Sequence, residues 1–464
     1  MRLVIGCLFW AATVHAQAVD VSGKWLGTLD AGGTKLRLAL HIEKASDGYT
    51  AKMDSIDQGA NGIPMSGITV SGMEFRFQVP KVAGSYEGKI SADQKQISGT
   101  WSQGPGSLPL RFERTDVLPG ARQRPQEPKK PYPYDEIEVS YENAAQKIKL
   151  AGTLTVPKEG RPAPAVLLLT GSGPQDRDES LMGHKPFLVL ADHLTRHGIA
   201  VLRVDDRGVG GSTGSVTQST SADFAADALA GVGFLKSRPE IDAARIGLLG
   251  HSEGGIVAPI AATLSKDIAF IVLLAGTGVS GEEILYVQAE LLLRASGVAD
   301  PGVVANRARQ KKLFEILRAE KDNVEAEKKL RAVIEESVAQ ESEEERKKGL
   351  GPAMAQLRQM LTPWFRSFLS LDPSESLRKV TCPVLALNGE LDLQVSSKQN
   401  LPAIAKALEE GGNRAYTIRK FAGLNHLFQT AKTGLVSEYS QIEETIAPVV
   451  LETISHWIRQ QTKK

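Results

Sequence analysis

The sequence predicts an α/β protein: a mostly parallel β-sheet covered by helices, interrupted by a helical insertion and preceded by a small antiparallel β domain. After residue 134, apolar runs such as AVLLL (165–169) and AFIVLLAG (269–276) alternate with amphipathic helical patterns. Before residue 115, apolar and polar residues alternate with a period of two. A charged stretch with helical spacing, at about 279–375, separates the last two strands from the others.

The first 18 residues have the pattern of a secretory signal peptide. Arg2 precedes an apolar run from Leu3 to Val14, and Ala16-Gln17-Ala18 forms an A-x-A cleavage site. The apolar run is too short to span a bilayer, so no membrane span is expected. Cleavage after Ala18 predicts a secreted or periplasmic protein in which Cys382 is the remaining cysteine, so no intramolecular disulfide is expected.

Residues 19–115 form the predicted N-terminal β domain, a small antiparallel barrel or sandwich. Alternating runs such as KLRLALHIEK and MEFRFQV are separated by glycine-rich turns. Trp25 and Trp101 lie near the two ends of this stretch and are interpreted as core anchors. Residues 116–133 contain five prolines and several charges, which predicts an extended linker before a main domain at 134–464.

The charge balance excludes nucleic acids and anionic membranes as expected partners. The 464 residues carry a formal net charge of +1, with no basic excess for nucleic acid or an anionic membrane. The expected partner is therefore a small-molecule ester or a short peptide substrate.

Two G-x-S-x-G matches compete for the role of a nucleophile elbow, one at 210–214 and one at 250–254. An elbow joins a strand directly to a helix. The apolar run 245–250 leads straight into Ser252, and an apolar helical pattern begins at Gly254. The strand before Ser212 ends near Asp205, and the next helix begins only near Ser221, its expected cap. Ser252 is therefore the predicted nucleophile, and 205–214 is predicted to be a loop.

A serine nucleophile needs a histidine base, and in this type of sheet the order along the chain is serine, acid, histidine. Only His426 and His456 follow Ser252. His456 lies in the last predicted helix, where a structural role is expected, whereas His426 lies in a loop just after a strand. His251, beside the nucleophile, is expected to support the turn.

The acid is expected just after the strand PVLALNG. Glu390 and Asp392 both lie there, and Asp392 is favoured because it has more loop in which to turn towards the histidine. The oxyanion hole needs two backbone amides. One is the amide of Glu253, the residue after the nucleophile, and the other is expected from Ser172 or Gly173 in the loop TGSGPQDRDES.

Five stretches together resemble the α/β-hydrolase superfamily: LLLTGSGPQDRD, VLRVDDRGVGGSTG, GLLGHSEGG, PVLALNGELD and GLNHLF. More narrowly, residues 134–464 resemble bacterial secreted esterases with a serine aminopeptidase-like domain, related to S9 and S33 peptidases. The resemblance implies that Asp206 and Arg207 brace loops near the site. The family commonly has His-Gly in the oxyanion loop, where this chain has Thr170-Gly171.

The leading functional prediction is a carboxylic-ester hydrolase that forms an acyl-enzyme at Ser252. A serine peptidase or aminopeptidase with the same triad is the alternative, and a secreted binding protein that acts through its β domain is the third. No metal or cofactor is implied by ligand spacing. The insertion at 279–375 is expected to cover the site as a lid, with Trp364 and Phe365 in an apolar substrate pocket.

Overall fold

The computed structural model of the protein describes residues 19–31, 34–103, 106–119, 123–337, 353–354 and 356–463. The predicted signal peptide at 1–18 and part of the predicted insertion lie outside the described residues. The described residues divide into two compact units, one within Met1–Ser55 and Asn61–Pro119 and the other within Ile56–Ala60 and Gly120–Lys464.

The first unit is an antiparallel sheet in which nine described strands follow the order β4-β3-β2-β1-β9-β8-β7-β6-β5. The strand β5 also packs against β3, which makes the sheet barrel-like. The strands are β1 (Gly23–Ala31), β2 (Thr34–Ala45), β3 (Gly48–Ser55), β4 (Ala60–Pro64), β5 (Ser66–Ser71), β6 (Glu74–Val79), β7 (Gly84–Ile90), β8 (Gln96–Gln103) and β9 (Gly106–Thr115).

Side-chain alternation explains the core of this unit. Along β6, exposed and buried residues alternate without exception, so Phe75 and Phe77 both point inwards. Trp25 and Trp101 are 0% and 4% exposed. Their interpretation as core anchors is confirmed, and Nε1 of Trp25 donates a hydrogen bond to the carbonyl oxygen of Val21 (2.8 Å).

The second unit contains an eight-stranded sheet in the order β10-β11-β13-β12-β14-β15-β16-β17. The strands β10 and β11 are antiparallel to their neighbours, and all the pairs from β12 and β13 onwards are parallel. This is the α/β-hydrolase fold. Its strands are β10 (Asp135–Asn143), β11 (Ile148–Val156), β12 (Ala163–Leu169), β13 (Ala200–Val204), β14 (Ile241–His251), β15 (Phe270–Leu274), β16 (Val384–Gly389) and β17 (Tyr416–Phe421).

Helices cover both faces of this sheet because its central strands are apolar on both sides. Every residue of β15 is buried, and two separate apolar clusters lie on the opposite faces. The covering helices are α1 (Pro186–Arg196), α2 (Ser221–Lys236), α3 (Gly254–Leu264), α9 (Ser397–Glu410) and α11 (Pro448–Gln461), with a short α10 (Val436–Tyr439) before the last.

A helical insertion leaves the sheet after β15 and returns before β16. Its described helices are α4 (Gly281–Ala295), α5 (Asp300–Ala319), α6 (Asn323–Ser337), α7 (Pro363–Ser370) and α8 (Pro373–Leu377). The insertion has an apolar core of its own, which includes Phe314, Leu330 and Leu369. Because the insertion follows β15, it begins at the carboxyl end of a parallel strand. Folds of this type bind ligands at that edge of the sheet.

None of the helices in the described part of the chain combines the length and the apolar character needed to cross a membrane.

Candidate active site

Ser252 occupies a sharp turn between β14 and α3. The strand ends at His251 and the helix begins at Gly254, so two residues make the turn. Ser252 has a φ of +52°, a left-handed conformation that is unfavourable for a residue with a side chain. Its amide donates a hydrogen bond to the carbonyl oxygen of Leu274 at the end of β15 (2.8 Å), which holds the turn in place.

The glycines on either side of Ser252 allow the chain to fold this tightly. A Cβ atom on Gly250 would lie 1.9 Å from the carbonyl oxygen of Gly254. A Cβ atom on Gly254 would lie 2.2 Å from the carbonyl oxygen of Leu169, at the end of β12. Both contacts are with backbone, so neither position accepts a side chain in this conformation.

Ser212, in the other G-x-S-x-G match, is fixed in a loop. Its hydroxyl group donates to the carbonyl oxygen of Asp205 (2.8 Å) and accepts from the amide of Ala151 in β11 (2.9 Å). The side chain is 7% exposed. The bond from Ala151 ties the loop to the antiparallel part of the sheet and the bond to Asp205 closes the loop on itself, which is a structural role.

Two neighbours of Ser212 brace the adjoining loops, as the resemblance implied. Arg207 is buried and donates to both carboxylate oxygens of Asp227 and to Ser219 Oγ. Asp206 accepts from Thr170 Oγ1 (2.7 Å) and from the amide of Gln175 (2.9 Å). Burial raises the pKa of Asp206 to about 7, because these hydrogen bonds only partly offset the cost of a buried charge.

His426 and Asp392 lie together in the core of the site. Nδ1 of His426 is 2.8 Å from Oδ2 of Asp392, and the residues are 5% and 2% exposed. The other oxygen of Asp392 accepts from the amides of Gln394 (2.9 Å) and Val395 (2.8 Å), which fixes the carboxylate. The remaining candidate acid, Glu390, forms an ion pair with Lys420 instead (3.2 Å).

The loop that carries His426 also lies against the elbow. The ring centroids of His251 and His426 are 4.8 Å apart, and Ser252 directly follows His251. The loop after β12 approaches from the other side, since a Cβ atom on Gly171 would lie 3.4 Å from Cβ of Ser252. The turn, the histidine loop and the predicted oxyanion loop therefore converge at the carboxyl ends of β12, β14 and β17.

Among the described residues, no acceptor occupies the three backbone amides predicted for the oxyanion hole. Within that part of the chain, the amides of Ser172, Gly173 and Glu253 donate to no other residue. Gly171, in contrast, donates its amide to Oε1 of Glu179 (2.8 Å). Gly173 has a φ of +95°, a conformation suited to glycine.

Trp364 and Phe365, the two predicted pocket residues, lie in different places. Nε1 of Trp364 donates to both carboxylate oxygens of Glu253 (2.8 and 3.0 Å), beside the nucleophile turn. Phe365 packs into the core of the insertion, with its ring centroid 6.4 Å from that of Phe314. Successive residues of a helix point about 100° apart, so the two rings face different surroundings.

The side chain of Glu253 is part of the site as well. It accepts from Ser221 Oγ (2.7 Å) and from Trp364, and it is 4% exposed. Burial raises the pKa of Glu253, which favours the neutral acid. A cavity of about 60 Å³ adjoins this carboxyl group, and Thr170, Gly173, Asp206 and apolar side chains also line it.

Glu179 and His251 form a buried pair that the sequence analysis did not predict. Nδ1 of His251 is 2.9 Å from Oε1 of Glu179, and Nε2 of His251 is 3.1 Å from the carbonyl oxygen of His426. His251 was expected to support the elbow. It does so by contacting two other loops, the one that contains Glu179 and the one that contains His426. Glu179 lies ten residues beyond the end of β12 without any recognisable spacing, so the sequence holds no direct signal for this pair.

One group of side chains in the described part of the chain could hold a metal ion, and it lies outside this site. The ligand atoms of His193 in α1, His197 directly after α1 and Glu452 in α11 all lie within 4.8 Å of one another. Ligand spacing in the sequence did not single out this group, although the two histidines are four residues apart, a spacing that brings side chains together on a helix.

The sequence between β11 and β17 matches the family described as X-Pro dipeptidyl-peptidase (S15 family), over residues 146–418. The chain belongs to the S15 family. This S15 protein is similar to the esterase EstD of Thermotoga maritima, with 27% identity over 310 residues, 67% of this chain and 65% of the relative. The match thus covers slightly less than two thirds of that relative's length.

Two solved structures are also similar to this S15 protein. The Pyrococcus furiosus esterase Pf2001 shares 18% identity at a TM-score of 0.42, over 71% of this chain and 90% of the other. The α/β-hydrolase GrgF of Penicillium shares 16% identity at a TM-score of 0.44, over 71% of this chain and 99% of the other. The predicted membership of the α/β-hydrolase superfamily is confirmed by the strand order and the family match.

Proposed function

We propose that the protein is a serine hydrolase that cleaves carboxylic esters, with Ser252 as nucleophile, His426 as general base and Asp392 as its partner acid. The observation that carries the proposal is the 2.8 Å contact between His426 Nδ1 and the buried Asp392 carboxylate. Because Nδ1 donates to Asp392, the lone pair on Nε2 is available to accept a proton. The elbow that presents Ser252 lies next to the same imidazole ring.

The chemistry follows from these positions. Oγ of Ser252 attacks the acyl carbonyl carbon while Nε2 of His426 takes its proton. The tetrahedral intermediate collapses, the C–O bond of the ester breaks, and the alcohol leaves with the proton from His426. Water then attacks the acyl-enzyme with His426 again as base, which releases the acid and restores Ser252.

The oxyanion of each intermediate accepts hydrogen bonds from the Glu253 amide and from Ser172 or Gly173. Within the described part of the chain, these amides have no competing acceptor, so no internal hydrogen bond has to break first. Gly171 is less suited, because its amide already donates to Glu179. Each oxyanion donor is worth roughly 10²–10³ in rate.

Two observations favour esters over peptides. The relative from Thermotoga maritima is named an esterase. An aminopeptidase also needs a free carboxylate for the substrate ammonium group, and the carboxyl group of Glu253 is already bonded to Ser221 and Trp364. The family description keeps the alternative, a serine peptidase that uses the same triad.

The helical insertion is part of the proposal as a lid over the site. Its helix α7 reaches the nucleophile turn through the hydrogen bond from Trp364 to Glu253.

We also propose that residues 1–18 are a signal peptide and that the mature enzyme works outside the cytoplasm. N-terminal sequencing of protein recovered from the medium or periplasm tests this: a chain beginning at Val19 is expected, and one beginning at Met1 contradicts it.

A comparison of substrates tests the activity. The mature protein is incubated with short p-nitrophenyl esters and with aminoacyl and X-Pro anilides, beside Ser252→Ala and the control Ser212→Ala. Ester turnover is expected for the wild type and for Ser212→Ala, with a loss of about 10⁴-fold or more in Ser252→Ala. Faster cleavage of anilides than of esters would establish the peptidase instead.

A further inference from the structure

His251 faces a hydrogen-bond acceptor from each of its two ring nitrogens. Nδ1 lies 2.9 Å from Oε1 of Glu179, and Nε2 lies 3.1 Å from the carbonyl oxygen of His426. The three residues are 7%, 3% and 5% exposed, so bulk water does not replace either partner. The hydrogen-bonding capacity of these two partners limits how many protons the imidazole ring of His251 carries.

A carbonyl oxygen and an ionised carboxylate can only accept hydrogen bonds, and a neutral imidazole has a single N–H. Both contacts of His251 are therefore hydrogen bonds at the same time only when both nitrogens carry a proton. Oε1 of Glu179 also accepts from the amide of Gly171 (2.8 Å), so two donors already use this oxygen. With an ionised Glu179 this count gives a cationic His251, whereas a neutral pair would place the proton on Oε1 and donate it to Nδ1. The second donor to the same oxygen, the Gly171 amide, favours the ion pair, because an ionised oxygen is the stronger acceptor.

The surrounding charges agree with this count. Oε2 of Glu179 is buried and has no hydrogen-bond partner among the described residues, so His251 is the group that offsets its charge. Burial by itself lowers the pKa of His251, but the charge and hydrogen bond of Glu179, the carbonyl group of His426 and the charge of Asp392 raise it overall. Asp206 also faces Glu179, and the charge of Glu179 adds to the effect of burial in raising the pKa of Asp206.

His184 provides an internal contrast. It is also buried, with Nδ1 2.9 Å from Thr445 Oγ1, and Nε2 lies 2.9 Å from the carbonyl oxygen of Tyr439 and 3.0 Å from the amide nitrogen of Gln429. The Thr445 hydroxyl group can donate or accept, so a neutral ring of either tautomer bonds to it, and Nε2 then has an acceptor or a donor beside it to match. Within the described chain, none of the hydrogen-bond partners of this ring is a carboxylate, and burial lowers the pKa of His184 to about 4.

We propose that Glu179 and His251 form a buried ion pair that positions the catalytic groups of the site. Glu179 holds the Gly171 amide of the oxyanion loop, His251 belongs to the elbow, and its second N–H holds the backbone of His426. The pair therefore fixes three separate loops relative to one another. Both are positioning residues, because their contacts are with these loops. The effect on catalysis rests on the proposed ester hydrolysis, whereas the ionisation state does not.

The variant Glu179→Gln keeps the shape of the side chain and removes its charge. His251 then becomes neutral and retains one N–H. Either one of its own two hydrogen bonds is lost or, if the new amide nitrogen faces Nδ1, the bond from the Gly171 amide is lost. We expect kcat to fall by about 10–100-fold, as for other residues that orient catalytic groups, with KM nearly unchanged. A KM that rises while kcat is constant contradicts positioning of the catalytic groups.

The proton count is measured by ¹⁵N NMR of the full mature chain labelled at histidine. At pH 7.5, both ring nitrogens of His251 are expected to carry protons in the wild type, and only one in Glu179→Gln. His184 is the control, with one protonated nitrogen in both proteins. The signals are assigned from the His251→Gln and His184→Gln spectra or, if either variant does not fold, by elimination with substitutions of the other histidines.

The outcomes separate this proposal from the proposed function. A single protonated nitrogen on wild-type His251 at pH 7.5 overturns the ion pair, even if the protein is an active esterase. A doubly protonated His251 together with an unchanged kcat in Glu179→Gln overturns its positioning role. The NMR result needs no turnover, so it stands if no ester is cleaved, which would instead overturn the esterase proposal.

Discussion

Nδ1 of His426 lies 2.8 Å from Oδ2 of Asp392, a carboxylate that is itself fixed by two backbone amides. The amides hold the acid from one side and leave its other oxygen for the histidine. This contact sets the tautomer of His426, so that Nε2 carries the lone pair. The geometry also separates Asp392 from Glu390, which lies two residues earlier and pairs with Lys420.

Asp392→Asn is expected to lower kcat by about 10⁴-fold, because the amide stabilises the wrong tautomer of His426 and cannot offset the charge of the imidazolium. The overall fold should persist, as seen by circular dichroism. Glu390→Gln is the matched control, with kcat unchanged and at most about 1 kcal/mol lost from the free energy of unfolding. Equal losses of activity in both variants would contradict the assignment of the acid.

The strained turn at Ser252 predicts an unusual order of stability. With φ at +52°, glycine suits the position better than alanine. Ser252→Gly is therefore expected to have a free energy of unfolding about 1 kcal/mol higher than Ser252→Ala, although both are inactive. Urea denaturation measures the difference. At Lys406, an exposed position within α9, the order is expected to reverse, because glycine is unfavourable inside a helix.

Ser212→Ala is expected to weaken the fold while activity remains. The change removes a hydroxyl group that donates to Asp205 and accepts from Ala151, so the buried carbonyl group of Asp205 and the partly buried amide of Ala151 both lose this partner. The expected cost is about 1–3 kcal/mol in the free energy of unfolding, with kcat for p-nitrophenyl esters unchanged. Ser370→Ala, at the exposed end of α7, should change stability by less than about 0.5 kcal/mol. Loss of turnover in folded Ser212→Ala would argue for a catalytic Ser212.

The sequence was informative wherever a local rule applied. An elbow needs a strand, a turn and a helix in immediate succession, and this requirement alone distinguished Ser252 from Ser212. The apolar strands predicted the mostly parallel sheet, and the charged helical stretch predicted the insertion that runs from Gly281 to Leu377. In each case the pattern and the structure depend on neighbouring residues along the chain.

The details that failed or were missed depend on contacts between distant segments. Ser221 was the expected cap of α2, but the preceding Thr220 fills that position and donates its amide and hydroxyl to Asp223. The hydroxyl of Ser221 instead donates to Glu253, 32 residues away. The pair of Glu179 and His251 joins residues 72 positions apart. No periodicity or spacing encodes such contacts.

The carboxyl group of Asp206 predicts a dependence of stability on pH. Burial raises its pKa to about 7, above the value of about 3.9 expected in the unfolded chain. Between these values the folded state holds a proton that the unfolded state has lost, so this group lowers the free energy of unfolding as the pH rises from about 4 to about 7. The cost is absent below that window and fully present above it.

Asp206→Asn removes this titration and can still bond to Thr170 through its amide nitrogen and to Gln175 through its oxygen. Relative to the wild type, the variant is expected to gain stability from pH 4 to pH 7 and then to level off, by no more than about 4 kcal/mol. Urea denaturation at several pH values measures the gain. Asp47→Asn, in an exposed turn, is the control variant, and a flat difference between Asp206→Asn and the wild type would mean that Asp206 is ionised throughout this range.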